Sequence, residues 1–162
     1  GDAGTATAVE TGASFSPMRR TKFVLGTDGT ENLRLSQQAG GFLRMDGAAV
    51  FNFTLKNVPP LVAETTRGEN PKYLLFHQAN EFMLKHLAKK CGVLPEQVPM
   101  NVARYGNCSS ASIPLLLCDM LGMEKAFAEQ VAMFGYGAGW SWGGALLNLQ
   151  DLEVAEVLEV SK

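Results

Sequence analysis

The sequence is short of the residues that build metal and disulfide centres. Its 162 residues include three cysteines, Cys91, Cys108 and Cys118, an odd number with no CxxC spacing. Neither a disulfide framework nor a zinc site is suggested, and a reducing cytoplasm fits best. Two histidines, His77 and His86, cannot supply a site of several imidazole ligands. Positive charge is also scarce: 14 Lys and Arg stand against 16 Asp and Glu, a net charge of −2. With no overall cationic field to hold a phosphate backbone, nucleic acid is a poor partner. Apolar runs such as Ile113 to Leu117 fall far short of the roughly 20 residues of a membrane helix, so no membrane role is expected. The first residues, Gly1-Asp2-Ala3-Gly4, show no basic n-region, no apolar h-region and no initiator Met, so no secretory signal is read there. What remains is ordinary globular composition, 46% hydrophobic and 19% charged, in a length suited to one folding unit.

Along the chain, Thr5 to Glu10 reads as a strand. Thr11 to Gly41 is a loop-dominated stretch, with Thr27-Asp28-Gly29 as a turn signal and Phe23-Val24-Leu25 as a short apolar run suited to a second strand. Val50 to Glu64 has apolar positions Val50, Phe51, Phe53, Leu55, Val58, Leu61 and Val62 that suit a helix, but Pro59-Pro60 must break it or begin a second helix there, so a broken helix is expected. Tyr73-Leu74-Leu75-Phe76 reads as a buried strand that ends at polar His77-Gln78. The clearest helix runs from Asn80 to Cys91: Leu84, Leu87, Ala88 and Cys91 share one face, Asn80 suits the N-cap and Gly92 the stop. Ser109 or Ser110 suits the cap of a helix reaching Leu121, with Gly122 ending it. Val131 to Tyr136 and Ser141 to Leu149 read as strands joined by the glycine turn 135–139. Gln150 to Lys162 alternates Glu with Val and Leu and carries no caps. Strands alternating with helices and closing on a two-strand hairpin predict an α/β layer with a mixed sheet whose last strand is antiparallel.

Three polar loops flank these elements: His77-Gln78-Ala79-Asn80, Tyr105-Gly106-Asn107, and the glycine turn 135–139. In α/β sheets ligands gather at the carboxyl ends of strands, so the three loops are expected to converge. Each alone is weak, since a His after a strand, an Asn beside Gly and a glycine turn all have ordinary structural uses.

Together they match one family in wording and in order. His77-Gln78-Ala79-Asn80, then the run from Arg104-Tyr105-Gly106-Asn107 to Pro114, then Phe134 to Gly143 resembles the C-terminal half of β-ketoacyl-ACP synthase III, a condensing enzyme of the thiolase superfamily. The likeness extends from Gly1 to about Leu149. It implies one half of the thiolase-like fold with a mixed five-stranded sheet. Residues 1–10 would close the family's N-terminal half, 11–49 connect, 50–149 form the C-terminal half-domain, and 150–162 trail as a tail.

The family's reaction is a decarboxylating Claisen condensation between an acyl-CoA primer and malonyl-ACP in fatty acid biosynthesis. The resemblance gives His77 and Asn107 the catalytic roles in the decarboxylation step, where two neutral donors bond the enolate-like oxygen. Losing one such donor costs roughly 2.7–4 kcal/mol at comparable sites. Gly47, Phe51 and Asn80 match positions that line the pantetheine tunnel, and Gly137, Ala138 and Gly139 form the turn whose amide at Ala138 helps bind the acyl oxygen. Ala138 stands where the family usually has Gly, so its φ and ψ must suit an alanine. Phe82 replaces an Arg that contacts the carrier protein in many members, with Lys85, Lys89 and Lys90 on the same helix as a substitute patch for an acidic carrier.

No cysteine here has the Ala-Cys helix-start setting of the family's nucleophile. The expectation is therefore a C-terminal half, inactive by itself, that needs an N-terminal half carrying that Cys. No metal or other cofactor is implied, because the thioester supplies the activation. Acyl carrier protein and a coenzyme A thioester are the implied partners, a homodimer the expected assembly of the whole enzyme, and the cytoplasm its place. A condensing relative from secondary metabolism and a non-catalytic partner half-domain remain as alternatives.

Overall fold

The fold is a computed structural model that describes residues 1–8, 21–121, 130–149, 152 and 154–160. A mixed sheet is its centre. Strands β1 (Lys22–Thr27), β4 (Tyr73–Phe76), β5 (Gln130–Gly137) and β6 (Ser141–Asn148) lie in the order β1-β6-β5-β4. β4 and β5 are parallel, while β6 is antiparallel to both of its neighbours, as the terminal hairpin predicts. Two short strands, β2 (Leu35–Ser36) and β3 (Arg44–Met45), pair apart from it. The described sheet has four strands rather than five: Thr5 to Ala8 carry no strand, and Val9 and Glu10 lie outside the described residues. Small residues in that stretch give a ladder little side-chain surface to bury, which leaves packing elsewhere to decide its path.

Helix α1 (Gly47–Thr65) covers one face of the sheet. Its N-cap is Asp46, whose side chain accepts from the Ala49 N–H at 3.0 Å, four residues before the apolar pattern begins. The expected break at Pro59-Pro60 is absent, and the helix runs through both prolines. Two missing N–H groups cost this helix two intrahelical bonds. Val58, Leu61 and Val62, buried on either side of the pair, anchor both segments on the same core, so packing overrides the local preference.

Helix α2 (Glu81–Cys91) forms as its caps dictate. Asn80 accepts from the Met83 N–H at 2.8 Å, and Gly92 closes the helix in a left-handed conformation. Its apolar stripe, Met83, Leu84, Leu87 and Ala88, is buried against α1 and the sheet. A single turn, α3 (Val102–Tyr105), and helix α4 (Ser112–Leu121) follow. Ser109 does not cap α4; it opens a short 3-10 turn, Ser109–Ala111, that precedes it. Gly122 lies outside the described residues.

Register places Val24, Gly144, Phe134 and Phe76 in one cross-strand row, and Leu146, Ala132 and Leu74 in the next. This is the face under α1 and α2. The opposite face is uneven: Leu75 and Val131 are fully buried, yet on β1 Phe23 and Leu25 are 67% and 82% exposed. The described part of the tail has neither helix nor strand; Val157 packs near Tyr105, Cys108, Ala111 and Leu115. No described helix is long and apolar enough to cross a membrane.

Candidate active site

The carboxyl ends of the parallel strands β4 and β5 meet at His77. Its backbone N–H extends the ladder to the Phe134 carbonyl at 2.8 Å, and its own carbonyl accepts from the Tyr136 hydroxyl at 3.3 Å. The Tyr136 ring stands edge-on to the imidazole, centroids 5.5 Å apart. Burial pushes the His77 pKa below the ordinary histidine value, against a hydrogen bond with the Ser109 backbone that pulls it up. The imidazole is therefore neutral at physiological pH.

Asn107 reaches the same place from the other side. Its Oδ1 accepts from the Ser109 N–H at 2.9 Å, which leaves the carboxamide NH2 as the group's remaining donor. Ser109, in a left-handed conformation with φ of 52°, thus fixes the Asn107 side chain by its N–H and lies beside the His77 imidazole. Gly106 precedes Asn107 with φ of 70° and ψ of −166°, a region essentially open only to glycine. The sequence singles out His77 and Asn107, and the fold brings them to one backbone unit.

The glycine turn follows Tyr136, which touches His77. Gly137 ends β5, Ala138 to Trp140 form the turn, and the positive φ falls on Gly139 at 136°. Ala138 has no positive φ, so the alanine sits there without steric cost. Trp140 pins the turn: it is buried, stacks on Phe53 of α1 at 4.5 Å, and exchanges backbone hydrogen bonds with Asp28 after β1. Gly47 opens α1, and Phe51, one turn on, has its ring 5.7 Å from Phe82 and 5.8 Å from His86. Asn80 is exposed, with its oxygen committed to the α2 cap.

The three lysines differ. Lys85 is paired with Glu81 at 2.6 Å, whereas Lys89 and Lys90 are exposed in the last turn of α2. Lys90 also borders an open groove of about 690 Å³ shared with Asn52, Leu55, Lys56, Pro59, Pro60 and Ala63. That groove contains neither His77 nor Asn107.

The cysteines are placed as small apolar residues. Cys91 packs against the main core, and burial pushes its thiol up to about 11, against the pull of Lys90. Cys108 is buried, its Sγ 3.4 Å from the Tyr105 carbonyl. Cys118 lies within α4, half-buried. Among the described residues, no three His, Cys, Asp or Glu side chains are grouped to hold a metal ion.

Three contributors escaped the sequence reading. Tyr136 was hidden inside the glycine turn, although its two-residue spacing from Phe134 puts it on the inner face with Phe76. Ser109 looked like a helix cap. Gln78 is 1% exposed, with its Nε2 donating to the Phe76 carbonyl at 2.8 Å and its Oε1 accepting from the Asn101 N–H at 3.1 Å. A polar residue following a buried strand was the only signal available for it.

Residues 61–149 match the family described as 3-oxoacyl-[acyl-carrier-protein (ACP)] synthase III C terminal. The match takes in more than half of the chain, and the chain belongs to that family of thiolase-like condensing enzymes. It is 40% identical over 116 residues to the β-ketoacyl-[acyl-carrier-protein] synthase III of Streptococcus sanguinis, covering 67% of this chain and 36% of the relative. The enzyme of the same name from Streptococcus pneumoniae is 38% identical over 122 residues, 70% of this chain and 37% of its own length. Among solved structures, a 3-oxoacyl-(acyl-carrier protein) synthase from Burkholderia xenovorans superposes with a TM-score of 0.75 at 41% identity, over 86% of this chain and 47% of the other. The 3-oxoacyl-(acyl carrier protein) synthase III of Pseudomonas aeruginosa gives 0.72 at 31%, over 78% and 43%. The chain thus spans little more than a third of the curated relatives it matches.

Proposed function

We propose that this chain supplies the decarboxylation half of a β-ketoacyl-ACP synthase III-type active site in fatty acid biosynthesis. The supporting observation is that His77, half-buried where β4 and β5 end, and Asn107, whose Oδ1 is committed to the Ser109 N–H, both lie at Ser109, which sets a neutral imidazole beside a carboxamide whose oxygen is already used. In the reaction, the bond between the malonyl carboxylate and its α-carbon breaks and carbon dioxide leaves. The electron pair spreads onto the thioester oxygen, where the single N–H of neutral His77, turned from Ser109 to the substrate, and the carboxamide N–H of Asn107 stabilise it. A charged imidazolium is not required, which matches the downward pKa shift of His77. The carbanion then attacks an acyl thioester and expels its thiolate.

That acyl thioester forms on a Cys outside this chain, in an N-terminal half. The Ala138 amide completes the acyl-oxygen site, and Gly47, Phe51 and Asn80 flank the pantetheine arm of the incoming thioester. Lys89 and Lys90 face an acidic carrier protein, with Lys85 partly neutralised by Glu81. The exposed Phe23 and Leu25 suit a sheet face that another part of the enzyme covers, in a cytoplasmic homodimer that needs no cofactor.

The test separates the two steps. In the enzyme containing both halves, His77→Ala and Asn107→Ala should each lose malonyl decarboxylation by about 10²–10³-fold while acylation of the Cys is retained. Equal loss of both steps would overturn the assignment. The purified 162-residue chain incubated with acetyl-CoA should show no acyl-enzyme by mass spectrometry.

A further inference from the structure

We infer that Gln78 is a positioning residue that fixes the distance between His77 and Asn107; the inference rests on the roles proposed for that pair. Among the described strands β4 is the sheet edge beyond β5. The segment passing its carboxyl end, Val98 to Asn101, makes no ladder with it. The Gln78 carboxamide takes the ladder's place. Its donor closes on the Phe76 carbonyl at 2.8 Å, one residue before His77, and its acceptor receives the Asn101 N–H at 3.1 Å.

From Asn101 the connection continues. The Asn101 carbonyl accepts from the N–H groups of Arg104 at 3.0 Å and Tyr105 at 3.1 Å, folding the turn that delivers Gly106 and Asn107. One unbroken path of short covalent and hydrogen-bonded links therefore joins the two loops through Gln78. Its central groups are buried, Gln78 at 1% and Asn101 at 8% exposure.

Burying a carboxamide is costly unless it is hydrogen-bonded, and an apolar side chain of similar volume would fill the same space without that cost. What an apolar residue lacks is direction. The Gln78 carboxamide is bonded at both ends, which fixes its direction although the Asn101 Nδ2 beside it is buried without a partner, and two donors that share one oxygen need theirs fixed closely, since misplacement by about 1 Å can cost around a hundredfold in rate.

The experiment uses the enzyme in which this chain works with the half bearing the nucleophile. Gln78→Met, similar in volume but unable to make either bond, should lower kcat for malonyl decarboxylation by about tenfold to a hundredfold. The KM for the malonyl thioester and the rate of Cys acylation should stay within about twofold. Gln78→Glu, which keeps an acceptor for the Asn101 N–H, should recover part of the loss. Decarboxylation by Gln78→Met at the parental rate, or an equal loss of acylation, overturns the proposal. Should Gln78→Met fail to fold, Gln78→Asn withdraws the amide by one methylene, and an unchanged rate there overturns it equally. Asn107→Ala is measured in parallel. If Asn107→Ala decarboxylates normally, the functional reading fails and the positioning role with it; if it is inactive while Gln78→Met is normal, only the positioning role fails.

Discussion

The two loops that meet at Ser109 are built on different principles. His77 is an extension of the core: β4 behind it is buried, Phe76 stacks on Phe134 at 5.1 Å, and the ladder to β5 continues through the His77 N–H. Asn107 lies on an exposed irregular segment held by its own backbone geometry, with positive φ at Gly106 and Ser109 and the Asn107 side chain bonded two residues onward. Packing secures the first loop, while local stereochemistry shapes the second and the Gln78–Asn101 hydrogen bond ties it to the first.

The sharpest way to break this contrast is to remove packing behind His77. Phe76→Ala should cost about 3–5 kcal/mol in denaturant or thermal unfolding; a loss no larger than a surface change would show that β4 is not the anchor. Next comes the backbone of the other loop. Gly106→Ala forces a side chain into its glycine-only conformation and should cost about 1–3 kcal/mol, with decarboxylation falling at the same time. An unaffected variant would mean that the segment tolerates another path.

A smaller effect concerns protonation. The His77 pKa is lower in the folded chain than the ordinary 6.5 of an unfolded one, so the unfolded state binds a proton more readily. Its contribution to stability is full above about pH 6.5 and declines as pH falls from there toward the folded pKa. An NMR titration should place the imidazole below 6.5, and His77→Gln should flatten stability across that window. A value at or above 6.5 would remove the link between burial and neutrality.

The smallest effect lies on the surface of the Asn107 loop. There Arg104 pairs with Asp119 at 3.1 Å and with Glu159 of the tail at 2.9 Å. Exposed pairs of this kind are screened by solvent and salt. Arg104→Ala should leave the unfolding midpoint nearly unchanged, and any difference should vanish in high salt; a large salt-resistant loss would show that the tail braces this loop.

Much of this was legible because it is local. The caps of α2, Asn80 and Gly92, act within one turn, and the β5–β6 hairpin follows from alternation and glycine. The family motifs name His77 and Asn107 for the same reason: each is a short word of fixed spelling. The fate of Pro59-Pro60 was not legible, since the helix persists only because Val58, Leu61 and Val62 are buried together. Nor was the work of Gln78, Ser109 and Tyr136, whose partners stand 23, 32 and 59 residues away.

Elements with strong caps and periods, and the family, were readable along the chain, because these depend on sequence neighbours; the family's motifs also single out His77 and Asn107 as the proposed pair. Only the folded chain decided that α1 runs unbroken, that β1 joins β6 at the sheet edge, and that Ser109, bonded to Asn107, comes to lie beside His77. Those outcomes depend on which distant groups share a buried space, where an unmet hydrogen bond or an empty volume costs more than any local preference.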